Sequence, residues 1–166
     1  VTLTARPGTG YRFANWTGGA TGSTSPTSIS MTADKIVTAN FTECFPLTTD
    51  SSPAGSGSVA AVPSPNCDGG GTGMYNPGTP VQLTASPANN FAFKNWTGPV
   101  ANTQSNPTNV VMDAARSVTA NFQACVAVTA VTSGGTEATA QVASQPNCTG
   151  GTRFLRASFA AASAVV

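Results

Sequence analysis

One motif occurs twice in this chain, and the second copy follows the first by 80 to 81 positions. Both copies contain an alternating Val-x-Leu-Thr-Ala segment, an aromatic segment ending in Trp-Thr-Gly, and a closing Val-Thr-Ala-Asn-Phe segment. The first copy has these at 1–5, 11–18 and 37–41, and the second has them at 81–85, 91–98 and 118–122. A fixed period predicts an array of like units, each of about 80 residues here. Such arrays more often build length and surface than active sites.

The period divides the chain into one complete unit and two partial ones. We expect the complete unit at residues 44–124, the second half of a unit at 1–43, and the first half of a further unit at 125–166. The first residue already lies inside a strand motif, so we expect either a processed chain or a piece of a longer array. Residues 152–159 replace the Gly-rich loop of the complete unit in this alignment.

The local pattern is that of half-buried β-strands, because apolar and polar residues alternate with a period of two. Val37, Ala39 and Phe41 alternate with Thr38 and Asn40, and the second copy does the same. In the complete unit the pattern predicts strands near 45–50, 57–63, 79–86, 90–96, 108–112 and 116–123. We therefore predict a mainly β fold of tandem, small, β-grasp-like or β-sandwich modules stapled by disulfides.

Composition excludes several classes of function. Charged residues make up 8% of the chain and the net charge is +1, which argues against a nucleic-acid partner and a polybasic membrane anchor. No run of about 20 apolar residues is present, so we expect no membrane insertion. Because the chain has no histidine and no G-x-S-x-G, and its six acidic residues are dispersed, we expect no enzyme activity, no metal site and no cofactor.

The four cysteines form two equally spaced pairs, since Cys44 to Cys67 and Cys125 to Cys148 are each 23 positions apart. Four cysteines allow three pairings. We expect residues 45–49 and 58–62 to form an antiparallel hairpin, whose open end would bring Cys44 opposite Cys67. The same geometry favours Cys125 with Cys148. Zinc is a poor alternative, because the spacing is wide and C-x-x-C is absent. Disulfides indicate an oxidising, extracellular or periplasmic compartment.

Two aromatic positions recur in register, Trp16 with Trp96 and Phe41 with Phe122. We predict that they are core anchors, with each tryptophan buried against the phenylalanine of the last strand of its unit, because every unit must fill the same core. The alternative is an exposed tryptophan that stacks on a sugar. The equivalent positions of Trp16 and Trp96 favour the core interpretation over a single specific site.

These segments resemble the divergent InlB B-repeat family. The family pattern runs through V-T-L-T-A, P-x-x-G-Y-x-F, W-x-G and M-x-x-x-K-x-V-T-A-x-F, which corresponds here to 1–5, 7–13, 16–18 and 31–41. The second copy is 81–85, 87–93, 96–98 and 112–122. The resemblance implies a β-rich module of large bacterial surface and secreted proteins, used as a spacer, stalk or adhesive array, with no common catalytic residues.

From these observations we expect an extracellular structural repeat protein on a bacterial surface. Its modules would form a stalk or filament, either in covalent series or by head-to-tail completion of half modules between copies of the chain. The alternative is an adhesive module that recognises a carbohydrate or a surface protein. A binding module should show a concave aromatic patch in one unit.

Overall fold

The structure is a computed structural model, and it describes residues 1–68 and 71–125 together with the backbone of 141–144 and 155–158. All regular structure in these residues is β, as predicted. Four strands belong to the N-terminal unit: β1 (Thr2–Leu3), β2 (Tyr11–Gly18), β3 (Thr27–Ser28) and β4 (Val37–Glu43). Within the described ranges, no helix is long and apolar enough to cross a membrane.

In the described residues, the complete unit contains seven strands, and two more follow it. The seven are β5 (Phe45–Ser52), β6 (Gly57–Val62), β7 (Met74–Tyr75), β8 (Thr79–Pro87), β9 (Phe91–Thr97), β10 (Thr108–Met112) and β11 (Arg116–Ala124). The last two strands are β12 (Gln141–Ser144) and β13 (Leu155–Ser158). Six of the seven strands coincide with the predicted ones to within two residues, and β7 was not predicted.

Two sheets enclose the core of the complete unit. The first has the order β10-β8-β6 and is antiparallel throughout. The second has the order β7-β5-β11-β9, in which β5 and β11 run parallel and the other pairs antiparallel. Inward residues from both sheets form one buried cluster, and the largest fully buried side chains include Leu83, Trp96 and Met112. Alternation along β10 is complete, with Thr108, Val110 and Met112 buried between exposed neighbours. The unit is thus the sandwich form of the predicted fold.

The hairpin predicted between β5 and β6 is wrong. β5 pairs with β7 and β11, whereas β6 pairs with β8 in the other sheet. In both strands apolar and polar residues alternate with period two. This pattern is the same whether the chain turns back as a hairpin within one sheet or passes from one sheet to the other. Cys44 nevertheless meets Cys67, because the Cys67 N–H donates to Met74 O at 3.1 Å and Met74 pairs with the start of β5.

The N-terminal unit repeats four of these strands. β2 pairs antiparallel with β4 as β9 does with β11, and β1 pairs antiparallel with β3 as β8 does with β10. Counterparts of β5, β6 and β7 are absent from residues 1–43. Within the described residues, β4 therefore has one paired edge where β11 has two, and β1 has one where β8 has two.

The prediction that Phe41 is a core anchor is wrong. Phe41 is 42% exposed, whereas Phe122 in the equivalent position is 5% exposed. Phe122 lies against the backbone of β6, because a Cβ placed on Gly57 would come within 2.7 Å of its Cε2. Residues 1–43 contain no strand that corresponds to β6, and no described residue takes the place of Gly57 against the ring of Phe41.

The C-terminal strands also correct one expectation. Residues 155–158 were expected to replace a loop, but they form β13, which pairs antiparallel with β12. The paired residues Gln141 and Ser158 of β12 and β13 correspond to Ala60 and Thr84 of β6 and β8. The chain that connects the two paired residues is seven residues shorter between Gln141 and Ser158 than between Ala60 and Thr84. In its pairing with β12, β13 thus has the place that β8 has beside β6.

Candidate functional site

An aromatic triad recurs in both units and includes a residue that sequence reasoning did not single out. In the complete unit, Phe93 contacts Trp96 with ring centroids 5.3 Å apart and Phe122 at 6.2 Å. In the N-terminal unit, Phe13 contacts Trp16 at 5.0 Å and Phe41 at 6.0 Å. The tilted and edge-on geometries are those that aromatic pairs prefer. The shared aromatic of the F-x-N-W segment was the signal that could have identified Phe13 and Phe93.

A β-bulge at the same place in both units positions this triad. The register shifts between Phe13 and Asn15 on β2, and at Phe122 opposite Phe93 on β11 and β9. The extra residue is Ala14 in the first unit and Lys94 in the second. An extra residue in one strand re-aims its side chains and increases the local twist. Both phenylalanines therefore face their partner ring across the ladder.

The two tryptophans are buried, and their polar atoms are satisfied. Trp16 is 6% exposed and Trp96 is 2% exposed. The Trp16 indole N–H donates to Thr24 O at 2.9 Å, and the Trp96 indole N–H donates to Ser105 O at 2.8 Å. A buried indole needs such a partner. Each tryptophan thus fixes the loop that follows its strand, and neither presents its face for sugar stacking.

The glycine of the Trp-Thr-Gly segment is required by a close approach of two strands. Gly98 has φ of +122° and Gly18 has φ of +85°, in the region that favours glycine. A Cβ on Gly98 would come within 2.6 Å of Ser117 O, and one on Gly18 would clash with Ile36 O. The repeated glycine therefore reflects backbone packing against the entry to the last strand.

Asparagine and threonine side chains link the two strands on the face opposite the core. The Asn121 amide donates to Thr97 Oγ1 at 2.8 Å and to Asn95 Oδ1 at 3.0 Å. In the first unit, the Asn40 amide donates to Thr17 Oγ1 at 3.1 Å. The repeated Asn-x-Thr patterns thus contribute cross-strand hydrogen bonds, which are a unit of sheet stabilisation.

Cys44 forms the joint between the two units. It is the single residue between β4 and β5, and it is 3% exposed. Its N–H donates to Gly10 O of the N-terminal unit at 2.7 Å, and its sulfur is bonded to Cys67 of the complete unit. Cys125 repeats the backbone half of this arrangement, because its N–H donates to Asn90 O at 2.7 Å. The backbone of Cys44 is therefore bonded to the N-terminal unit, and its side chain is bonded to the complete unit.

Asn66 holds the loop that carries Cys67, and sequence reasoning did not identify it. Its side-chain oxygen accepts from the Asn76 N–H at 2.9 Å, and its own carbonyl accepts from the Asn76 amide at 2.9 Å. The recurrence of Pro-Asn-Cys at 65–67 and 146–148 was the available signal. This clamp brings Cys67 to the end of β5.

The structure brings together most of the predicted site residues. Cys44 and Cys67 form a disulfide with a Cα–Cα distance of 6.2 Å. Trp96 and Phe122 are buried in one cluster, and Trp16 is buried while Phe41 is exposed. Cys148 lies outside the described residues, so its pairing with Cys125 stays a prediction.

Two apolar residues that are exposed in the N-terminal unit have buried counterparts in the complete unit. Met31 is 53% exposed and Met112 is fully buried, while Val1 is 69% exposed and Val81 is fully buried. In the complete unit, Phe45, Leu47, Val59 and Ala61 of β5 and β6 pack against the cluster. Residues 1–43 contain no strands that correspond to β5 and β6, and one edge of β4 is unpaired within the described residues.

The described residues offer little for acid–base or metal chemistry. They contain no group of three or more His, Cys, Asp or Glu side chains that could hold a metal ion. Arg116 pairs with Asp113 in the turn before β11, at the surface. Burial raises the pKa of the Tyr75 phenol, whose hydroxyl donates to Pro63 O at 3.2 Å. These groups serve the fold.

Comparison with known proteins identifies the repeat. The family model of the divergent InlB B-repeat domain matches residues 1–44 and again residues 47–126. No curated protein and no solved structure matches the chain. The second match contains nearly all of the complete unit, and the first ends at the joint. The two matches account for most of the chain, which therefore belongs to the divergent InlB B-repeat family.

Proposed function

We propose that this chain is part of an extracellular structural repeat protein of a bacterial surface, in which modules in series form a stalk or filament without catalysing a reaction. The observation that carries the proposal is the joint at Cys44. One buried residue separates the units, its backbone is bonded to one unit, and its side chain is bonded to the other. A joint of this kind restricts bending, whereas domains joined by flexible linkers move relative to each other.

Compartment and composition support the same role. The disulfide joins two cysteines that are 23 positions apart in the sequence. Disulfides persist in oxidising environments, which agrees with a secreted or surface protein. Surfaces of threonine, serine and asparagine provide solubility with few charges. Repeat arrays of this type have approximately additive stability, with each unit contacting its neighbours. The partners we propose are copies of this chain or continuous repeats of the same polypeptide.

The adhesive alternative has weaker support. A carbohydrate-binding module would need an exposed aromatic platform, and both tryptophans are buried with their indole N–H groups bonded. Among the described residues, the exposed aromatics are Tyr11 and Phe41, and both lie in residues 1–43. The equivalent residue of Phe41 in the complete unit, Phe122, is buried, which favours a structural role for this position over a ligand contact.

The stiffness of the joint is the property to test. Spin labels on Ser23→Cys and Asn109→Cys report the distance between the units, since both sites are exposed. We expect a single narrow distance distribution by pulsed electron resonance. As a matched control, Gly-Ser-Gly inserted between Glu43 and Cys44 should broaden it. A distribution as broad in the unmodified joint as in the inserted one would contradict the structural proposal.

A further inference from the structure

The chain enters and leaves the complete unit at two neighbouring strands of one sheet. It enters through Cys44, the single residue before β5, and it continues into Cys125 directly after β11. β5 and β11 lie side by side in the sheet of order β7-β5-β11-β9. A tension applied along the polypeptide therefore reaches this unit at the start of β5 and leaves it at the end of β11.

These two strands run parallel, and this direction decides how a tension acts on them. Their ladder pairs six residues of each strand, from Leu47 with Arg116 to Ser52 with Asn121. In a parallel pair, the start of one strand and the end of the other lie at opposite ends of the ladder. Pulling the start of β5 against the end of β11 therefore slides one strand along the other, so the load on the ladder is a shear. In an antiparallel pair both points would lie at the same end, and the same pull would peel the strands apart.

A ladder that is loaded in shear resists a larger force than one that is peeled. Sliding stretches every hydrogen bond of the ladder at the same time, whereas peeling breaks the bonds in turn. Because a hydrogen bond is lost once donor and acceptor are more than about 3.5 Å apart, a slide of about 2 Å breaks the whole set together. The next register that keeps the side chains on the same faces lies two residues away, about 6.6 Å along the strand.

Side chains on the inner face hold this ladder in register. Val118 and Ala120 of β11 pair with Thr49 and Ser51 of β5, and both are fully buried, so the core side of the ladder is shielded from water. At the start of β5, Phe45 packs against the core cluster. Sliding β5 would draw this ring out of the cluster, which exposes apolar surface and adds a cost to that of the broken hydrogen bonds.

The disulfide fastens the loaded end of β5. Cys44 is bonded to Cys67, whose N–H donates to Met74 O, and Met74 belongs to β7, which pairs with the start of β5. A pull on Cys44 is thereby shared between β5 and the segment that carries Cys67. The chain between the two cysteines, which are 23 positions apart, cannot extend even after the ladder has broken.

We propose that the β5–β11 ladder is a mechanical clamp, through which the complete unit carries tension along the array. The load passes from β4 through Cys44 into β5, crosses the ladder as a shear, and leaves through β11. The clamp depends on the passage of β5 into the sheet opposite β6, because that passage places β5 beside β11. The proposal rests on the structural role proposed above and adds that the module bears force.

Single-molecule force spectroscopy of the full chain in two pulling directions tests the clamp. Azide-bearing amino acids at Glu43 and Ala124 provide handles that load the ladder in shear, and we call this variant the shear pair. Handles at Glu43 and Ala114 load the same ladder by peeling, because Ala114 precedes β11 at the end of the ladder where β5 begins, and we call this variant the peel pair. All three sites are exposed. The peel pair is the matched control, since it shares one handle and leaves the cysteines unchanged.

We expect the shear pair to unfold at a force at least about twofold higher than the peel pair at the same loading rate, because shear breaks the hydrogen bonds together. Replacing Cys44 and Cys67 by alanine in the shear pair should lengthen the released extension by about 80 Å, since the chain between these positions can then extend. Equal forces, or an extension that this replacement leaves unchanged, would overturn the clamp.

The two proposals fail in different ways. Equal forces together with a narrow spin-label distribution would reject the clamp and leave the structural role in place. Unequal forces together with a broad spin-label distribution would support the clamp and reject the stiff joint.

Discussion

The N-terminal unit and the complete unit have the same motif, the same four strands and the same aromatic triad, yet their cores differ. Trp16 and Trp96 are both buried, whereas Phe41 and Met31 are exposed and Phe122 and Met112 are not. The contacts within each four-strand set suffice to bury the tryptophan. The phenylalanine and methionine are buried where β5, β6 and β7 are present, and residues 1–43 contain no strands that correspond to these three. A repeated residue therefore has a constant environment only where its whole set of neighbours is repeated.

The largest expected effect separates the two tryptophans. Trp96→Ala should destabilise the complete unit by about 3–5 kcal/mol, because it removes a fully enclosed aromatic side chain. Trp16→Ala should cost less, about 1–2 kcal/mol, since the half-open core around it can collapse or admit water. Urea unfolding followed by hydrogen exchange of each unit measures both values. Equal losses would show that the N-terminal core is closed in solution.

The disulfide should have the next largest effect, and it should act on one unit more than on the other. Replacing Cys44 and Cys67 together by alanine should cost the complete unit about 3 kcal/mol, from the chain-entropy model for a loop of this length. Hydrogen exchange should increase in β5 and β7, while the β2–β4 ladder changes little. Ser64→Ala, in the same loop, is the control and should leave stability unchanged. Protection lost equally in β2 would contradict the assignment of the bridge to the complete unit.

The smallest effect concerns the alkaline limit of stability. Burial raises the folded-state pKa of Tyr75 above its unfolded value, so the unfolded state loses its proton first as the pH rises. The stabilisation is fully present below about pH 10 and is lost as the pH rises through the folded pKa. Tyr75→Phe should flatten the pH dependence of unfolding above that value. The N-terminal unit has no buried tyrosine, so its exchange rates should show no corresponding step. An unchanged slope in Tyr75→Phe would contradict this assignment.

Particular residues show which features of the structure could be predicted from the sequence. The strand positions followed from alternation, because period two is imposed by the backbone itself. The Cys44–Cys67 pairing was predicted correctly from a wrong hairpin. Equal spacing identified the partners, but the contact is made through β7, a strand of two residues that no pattern indicated. The repetition of Asn66 and Phe93 was visible in the sequence. The hydrogen bonds of Asn66 and the ring contacts of Phe93 were not.

By itself, the sequence determined the repeat, the β class, the family and the aromatic positions that recur in register. These depend on local periodicity and on side-chain type, which each copy carries within itself. Tertiary structure decided that β5 and β6 lie in different sheets, that β5 runs parallel to β11, and that Phe41 is exposed. The physical reason is that burial and strand partnership are set by neighbours distant in sequence, so identical segments acquire different environments when one of them lacks its covering strands.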